Sequence, residues 1–195
     1  MSARDRMLER VREALSDREP LPHPGTFEGW RSTATPDPVD GLVQLLEDAG
    51  GEVVRQPSID AAAAWLASFC ADFESSAVGE TVPLLLHPPL PPGAPDTAPL
   101  GVSLARGAVA ETGSLIMDAR DGRRAQLLVP THVVFVYAAH VYATLREALI
   151  DLADDLPSAI GFHSGPSKSA DIGQILVKGV HGPGRLIAVL IESEG

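Results

Sequence analysis

Cysteine is nearly absent: the 195-residue chain has one, Cys70. A lone thiol excludes an intramolecular disulfide and cannot hold an iron–sulfur cluster, which needs several ligands. Set in an apolar helical segment, Cys70 reads as buried filler rather than a reactive thiol. Long apolar runs are missing too. None approaches the roughly 18 residues of a membrane span, and the charged N-terminus lacks the apolar stretch of a signal peptide, so the expected location is the cytoplasm. Basic charge is scarce. Fifteen basic against twenty-six acidic residues leave a formal net charge of −11, a surface that repels nucleic acid and anionic membrane. Nucleotide-binding signatures are wanting as well, with neither a Walker loop nor a Gly-x-Gly-x-x-Gly fingerprint. No Gly-x-Ser-x-Gly elbow supports a hydrolase triad. His87, His132, His140 and His163 show no metal-ligand spacing, so no metal site is expected.

What is present is a globular α/β pattern. Hydrophobic residues make up 45% of the chain, enough for one substantial domain. Residues 1–40 read as an N-terminal helix and a proline-rich connector, and residues 41–195 as a single α/β domain. Met7, Leu8, Val11 and Leu15 form an apolar stripe that docks on this domain or on a second subunit. The prolines at 20, 22, 24, 36 and 38 rule out a regular element in the connector, where Phe27 and Trp30 are the anchors. Then follow a helix at 39–49, a strand at 52–55, a helix from the Ser58 cap to about Asp72, and a strand at 81–87. Pro88–Pro99 is a stiff loop. Strands are expected at 100–104 and 115–118, with a hairpin through Asp121-Gly122 into 126–129, and a further strand at 133–138. A helix at 139–156 carries Val141, Leu145, Leu149 and Leu152 inward. Strands alternating with helices imply a mainly parallel or mixed sheet covered on both faces, with a local hairpin around Glu111.

The segment 159–192 reads as strand, loop, helix, strand. Ser169 is a good N-cap, Ile172, Ile175 and Leu176 share one helical face, and Gly179 is a natural stop. In a βαβ crossover the helix starts at the carboxyl ends of the strands, where α/β crevices lie. Gly165, Pro166, Ser167, Lys168 and Ser169 therefore form a candidate anion-binding loop: small residues, two hydroxyls, one lysine and the N–H groups of a helix start. Asp171 either complements the helix dipole or hydrogen-bonds a polar ligand.

Four motifs in order carry a family resemblance: Ala110-Glu111-Thr112-Gly113-Ser114, Leu-Leu-Val-Pro-Thr-His at 127–132, Gly-Pro-Ser-Lys-Ser-Ala-Asp-Ile at 165–172, and Gly-Val-His-Gly-Pro at 179–183. They resemble the LUD domain, the family of the bacterial lactate-utilisation protein C. The match covers roughly Gly101 to the C-terminus. Where the family usually shows Arg-Thr this chain has Lys168-Ser169; lysine keeps the charge and loses the planar fork. The resemblance implies a three-layer fold like that of ribose-5-phosphate isomerase and the CoA transferases. It also implies a role in oxidising L-lactate to pyruvate beside partner proteins that carry iron–sulfur clusters, with no such cofactor in this chain.

Glu111 is either a ligand-facing carboxylate, acting as base or even nucleophile, or a backbone acceptor in a tight turn. Thr112, Gly113 and Ser114 accompany it as candidate ligand contacts, as do His132, His181 and Gly182, the two histidines each adjoining a proline or Gly-Pro loop. Two functions fit these residues. One is a non-redox subunit of a lactate-oxidising system that binds a small anion. The other is a free-standing isomerase, transferase or cyclo-ligase that uses Glu111.

Overall fold

Helix starts in this chain are set by side chains that satisfy the first free N–H groups. The computed structural model describes residues 2–16, 37–170 and 176–193. Contacts divide the chain into two units, Met1–Arg31 and Ser32–Gly195. The first holds α1 (Ala3–Ser16), opened by a capping box in which the Ser2 N–H donates to Asp5 Oδ2 at 2.8 Å and the Asp5 N–H to Ser2 Oγ at 3.1 Å. The connector with Phe27 and Trp30 lies outside the described residues.

In the second unit Asp37 caps α2 (Pro38–Asp48), accepting the Val39 N–H at 2.8 Å, with Pro38 where a missing N–H costs nothing. Strand β1 (Glu52–Gln56) follows, then α3 (Ile59–Phe69) behind its Ser58 cap and a single turn at Cys70–Asp72. Next come β2 (Ser76–Val78), β3 (Leu100–Leu104), β4 (Gly107–Val109), β5 (Ser114–Asp118), α4 (Arg123–Leu127), β6 (Thr131–Tyr137) and β7 (Val141–Tyr142). The chain ends with α5 (Leu145–Asp151), β8 (Ile160–His163), β9 (Lys168–Ala170), β10 (Leu176–Lys178) and β11 (Arg185–Ile191).

Among the described residues the main sheet has the order β1-β11-β6-β3-β2, and each pairing is parallel. Its central strands are apolar on both faces, as burial on both sides demands. Val102, Val133, Phe135, Ile187 and Val189 meet Ala62, Leu66 and Cys70 beneath α3. The opposite side chains, Val134, Val136, Leu186, Ala188 and Leu190, meet Leu42 and Leu46 of α2 and Ala108, Leu115 and Met117 of a second, mixed sheet of order β7-β4-β5-β8. Each such fully buried aliphatic side chain contributes about 1.5–3 kcal/mol. The architecture is thus α/β with a mainly parallel sheet, as expected, and the hairpin around Glu111 is β4–β5.

Several local expectations need correction. Residues 81–87 form no strand. Pro83 removes a ladder donor, and Leu84 and Leu85 are 85% and 50% exposed while Leu86 is buried in a short turn at Leu84–Leu86. The edge strand is instead β2, whose Ser-Ala-Val lacks a strong pattern. After Asp121-Gly122 the chain forms α4, not a hairpin strand; Ala125 and Gln126 turn inward, and Gln126 Nε2 donates to the Asp118 carbonyl at 2.8 Å. The helix expected over 139–156 begins only after Thr144, because Val141–Tyr142 pairs with β4. Leu149 is exposed rather than inward.

The largest correction concerns 159–192. Lys168–Ala170 and Leu176–Lys178 pair antiparallel, with Val177 opposite Ser169, so no helix starts at Ser169. Asp171, Ile172 and Ile175 lie outside the described residues. Strands β8 and β11 belong to different sheets, so there is no crossover between them. Gly179 does adopt a left-handed conformation, φ 78°, but as the turn after β10 rather than a helix stop.

Candidate functional site

The register of β5 against β8 brings two distant motifs together. Leu115 lies opposite His163, and just beyond the end of β8 Ser114 and Ser164 meet. Their hydroxyls are 2.6 Å apart, and Thr112 Oγ1 lies 2.8 Å from Ser114 Oγ. Gly113 closes this turn at φ 59°; a Cβ there would come within 2.6 Å of the Leu45 Cβ, so the turn rests directly on α2. An ion network steadies the same sheet. Arg120 grips Asp118 and reaches Asp155 at 2.8 Å, and Arg106 meets Asp155 at 2.7 Å. Burial pushes the Asp118 carboxyl up, but the two arginines outweigh it and hold it below the usual range.

Beyond Ser164 the chain folds onto the end of α2. Gly165, φ 107°, passes so close to Ala49 that a Cβ would sit 2.9 Å from its carbonyl oxygen. Lys168 Nζ donates to that same carbonyl, complementing the negative helix end. Ser167 then gathers the other loop: its N–H donates to the Pro183 carbonyl at 2.7 Å, its carbonyl accepts the Gly179 N–H at 2.9 Å, and its Oγ accepts the His181 N–H at 3.3 Å. The result is a cavity of about 420 Å³ lined by His163, Ser164, Gly165, Ser167, Lys168 and His181, with Pro166 and Gly182 at its wall.

The expected residues divide accordingly. Gly165, Pro166, Ser167, Lys168, His181 and Gly182 are brought together. Ser169 sits in β9 and its hydroxyl caps no helix. Glu111, Thr112, Gly113 and Ser114 do not line the cavity; only Ser114 touches it, through Ser164. Glu111 Oε1 accepts the Leu145 N–H at 2.7 Å, which makes it a backbone acceptor for the start of α5. The location also differs from expectation. Pro130 and Pro183-Gly184 precede β6 and β11, so the cavity opens at the amino ends of the parallel strands, not the carboxyl ends.

His132 lies inside β6 and is fully buried, not in a loop. Its Nε2 is 2.9 Å from Ser103 Oγ, and among the described residues Nδ1 has no partner. Burial, with a smaller contribution from His163, pushes His132 down to about 3, so the ring is neutral. The His163 ring stands edge-on to it at 6.2 Å and faces the cavity; burial lowers its pKa also. On the far side Ser103 reaches Asp121, a fully buried carboxyl held by the Thr81 hydroxyl at 2.7 Å and the Thr81 N–H at 3.2 Å. Burial raises the Asp121 pKa despite these hydrogen bonds. Asp121, Ser103, His132 and His163 thus form a polar line from the interior to the cavity. Sequence reading missed Ser103, Asp121 and Thr81, and it gave His163 no role beyond excluding metal-ligand spacing. Among the described residues no three His, Cys, Asp or Glu side chains converge as metal ligands. Nor is any described helix long and apolar enough to cross a membrane.

Comparison with known proteins follows this geometry. Residues 96–191 match the model of the LUD domain. Lactate utilization protein C 1 of Bacillus mycoides (strain KBAB4) is 33% identical over 105 residues, 50% of this chain and 45% of that protein. Lactate utilization protein C of Deinococcus radiodurans is 34% identical over 110 residues, 54% of this chain and 52% of that one. The matches span about half the length of these curated relatives. A crystal structure of a DUF162 family protein from Deinococcus radiodurans aligns with a TM-score of 0.60, covering 79% of this chain and 96% of that one at 20% identity. That likeness establishes the fold alone.

Proposed function

Taking as premise that this chain carries a LUD domain over residues 96–191, we propose that it is a cytoplasmic, non-redox component of a system that oxidises L-lactate to pyruvate. The redox centres sit on iron–sulfur partner proteins, and this chain binds a small anion of that system, a carboxylate, in the cavity beside Lys168. The names of its relatives support the pathway. The observation that carries the site is the set of hydrogen bonds by which Ser167 draws the Gly179–Pro183 loop against its own, which gathers Lys168 and His181 around one cavity. Lys168 has two further N–H donors after bonding Ala49, the serine hydroxyls can donate, and the half-buried His163 stands beside them with the buried neutral His132 behind it. The chain's own thiol supplies no redox chemistry: Cys70 is buried, and burial pushes it up to about 11. Glu111, engaged by the Leu145 N–H, takes weight from the free-standing enzyme. The likeness to isomerase and CoA transferase folds belongs to the same proposal.

Two measurements test it. Deleting the gene in its native host should abolish growth on L-lactate; unimpaired growth removes the pathway assignment. L-lactate or pyruvate should raise the melting temperature of the purified chain, and Lys168→Ala should remove that rise. An equal rise in the variant would place the anion elsewhere.

A further inference from the structure

The chain contains two lysines, Lys168 and Lys178, and the pairing of β9 with β10 sets them directly opposite each other. Like charges facing across a ladder destabilise it. This exposed pair costs least when an anion lies between. The two lysines also mark two adjoining clefts. Lys168 lines the cavity of about 420 Å³ already described, and Lys178 lines a neighbour of about 670 Å³. Leu127, His181 and Gly182 border both. The second cleft has a different character, for its side-chain wall is Leu127, Leu128, Val129, Pro130 and Val180. Leu127, Leu128 and Val180 leave 43%, 49% and 49% of their surface exposed there. Together the two open clefts offer room for a ligand longer than a three-carbon acid to lie along them.

We propose that this double cleft takes an amphipathic organic anion, its carboxylate held between Lys168 and Lys178 at the His181-Gly182 border and its apolar body laid along Leu127, Leu128 and Val180. This rests on the cavity beside Lys168 being an anion site, and it narrows the ligand to acids with an apolar chain longer than that of lactate.

The test is calorimetric titration of the full chain with straight-chain 2-hydroxy acids from L-lactate to 2-hydroxyoctanoate. Affinity should rise about fourfold per added methylene, the factor expected for burying one methylene group. The double substitution Leu127→Ser, Val180→Ser, at half-exposed positions that tolerate polarity, should flatten that series. Lys178→Ala should weaken every member about tenfold, as the loss of a charged hydrogen bond does. Longer acids that bind where lactate does not give the same result in stronger form. A flat series with lactate still bound overturns the apolar lobe and leaves the anion site standing. A slope that survives the double substitution also overturns it, by placing the chain elsewhere. Failure of every acid, lactate included, removes the anion site and this inference with it.

Discussion

Acid should unfold this protein in part through one residue. His132 is fully buried in β6 with its ring neutral, its pKa pushed down to about 3 from an ordinary 6.5. Below about pH 6.5 the unfolded chain takes up a proton at this position and the folded chain does not. Stability due to the neutral ring is therefore complete above pH 6.5 and is lost as pH falls toward 3, at ~1.4 kcal/mol per pH unit. Across the whole window the loss reaches about 5 kcal/mol, a large share of the 5–15 kcal/mol typical of a domain. Other groups titrate too. Asp155 is held at about 2 by Arg120 and Arg106, Glu52 is held low by Arg185, and both lose their contribution only at lower pH. Asp121, raised by burial, acts in the opposite sense as pH falls. A difference measurement removes these terms. His132→Gln keeps a donor toward Ser103 and cannot take the proton, so urea denaturation of parent and variant between about pH 4 and pH 7 isolates the histidine. The parent should lose stability more steeply than the variant below pH 6.5. Parallel pH profiles would mean that His132 is protonated in the folded state, and the polar line to the cavity would then have to be redrawn around a charge.

Substitutions at three further positions separate backbone roles from ligand roles. Glu111→Ala should cost about 1–2 kcal/mol by leaving the Leu145 N–H without its acceptor; Glu111→Gln, which keeps an oxygen there, should cost clearly less in the same urea titration. Equal losses would show that charge, and not the acceptor, is what the site requires. Gly113→Ala should cost more than about 2 kcal/mol, since it combines a left-handed backbone with a 2.6 Å clash on Leu45. Gly122→Ala, at φ 94° with open space around its Cβ, should show only the backbone part, about 1 kcal/mol.

The elements legible in the sequence are those whose signal is local. Strands β3, β6 and β11 are largely apolar runs that follow a Gly or Pro, β1 is a Val-Val pair between Gly51 and Pro57, and α3 announces itself through the Ser58 cap. The second sheet as a unit was hidden: its hairpin β4–β5 is local, but β7 is two residues long and the pairings β4–β7 and β5–β8 join segments far apart in the chain. The helix start expected at Ser169 was displaced for a related reason. An i, i+3, i+4 pattern over so few residues competes poorly with a neighbouring strand, and Lys168–Ala170 has one in Leu176–Lys178. The motif order was visible in the same way, but the contact between the motifs follows from the pairing of Leu115 with His163, which no local pattern encodes.

The distribution of polarity along β6 then explains why the cavity lies where it does. His132, Val134 and Val136 point to one face of the parallel sheet; beyond His132 that face is closed by apolar packing with Leu42, Leu46, Leu115 and Met117. At His132 the packing turns polar, through Ser103 and Asp121, and the second sheet presents His163 rather than an aliphatic side chain. A buried imidazole with an unpaired nitrogen costs about 1–3 kcal/mol relative to a satisfied one, and an aliphatic residue would close the gap at no such cost. Among the described residues, the buried side-chain nitrogen left without a partner thus sits at the amino end of β6, next to the loops that carry Lys168 and His181.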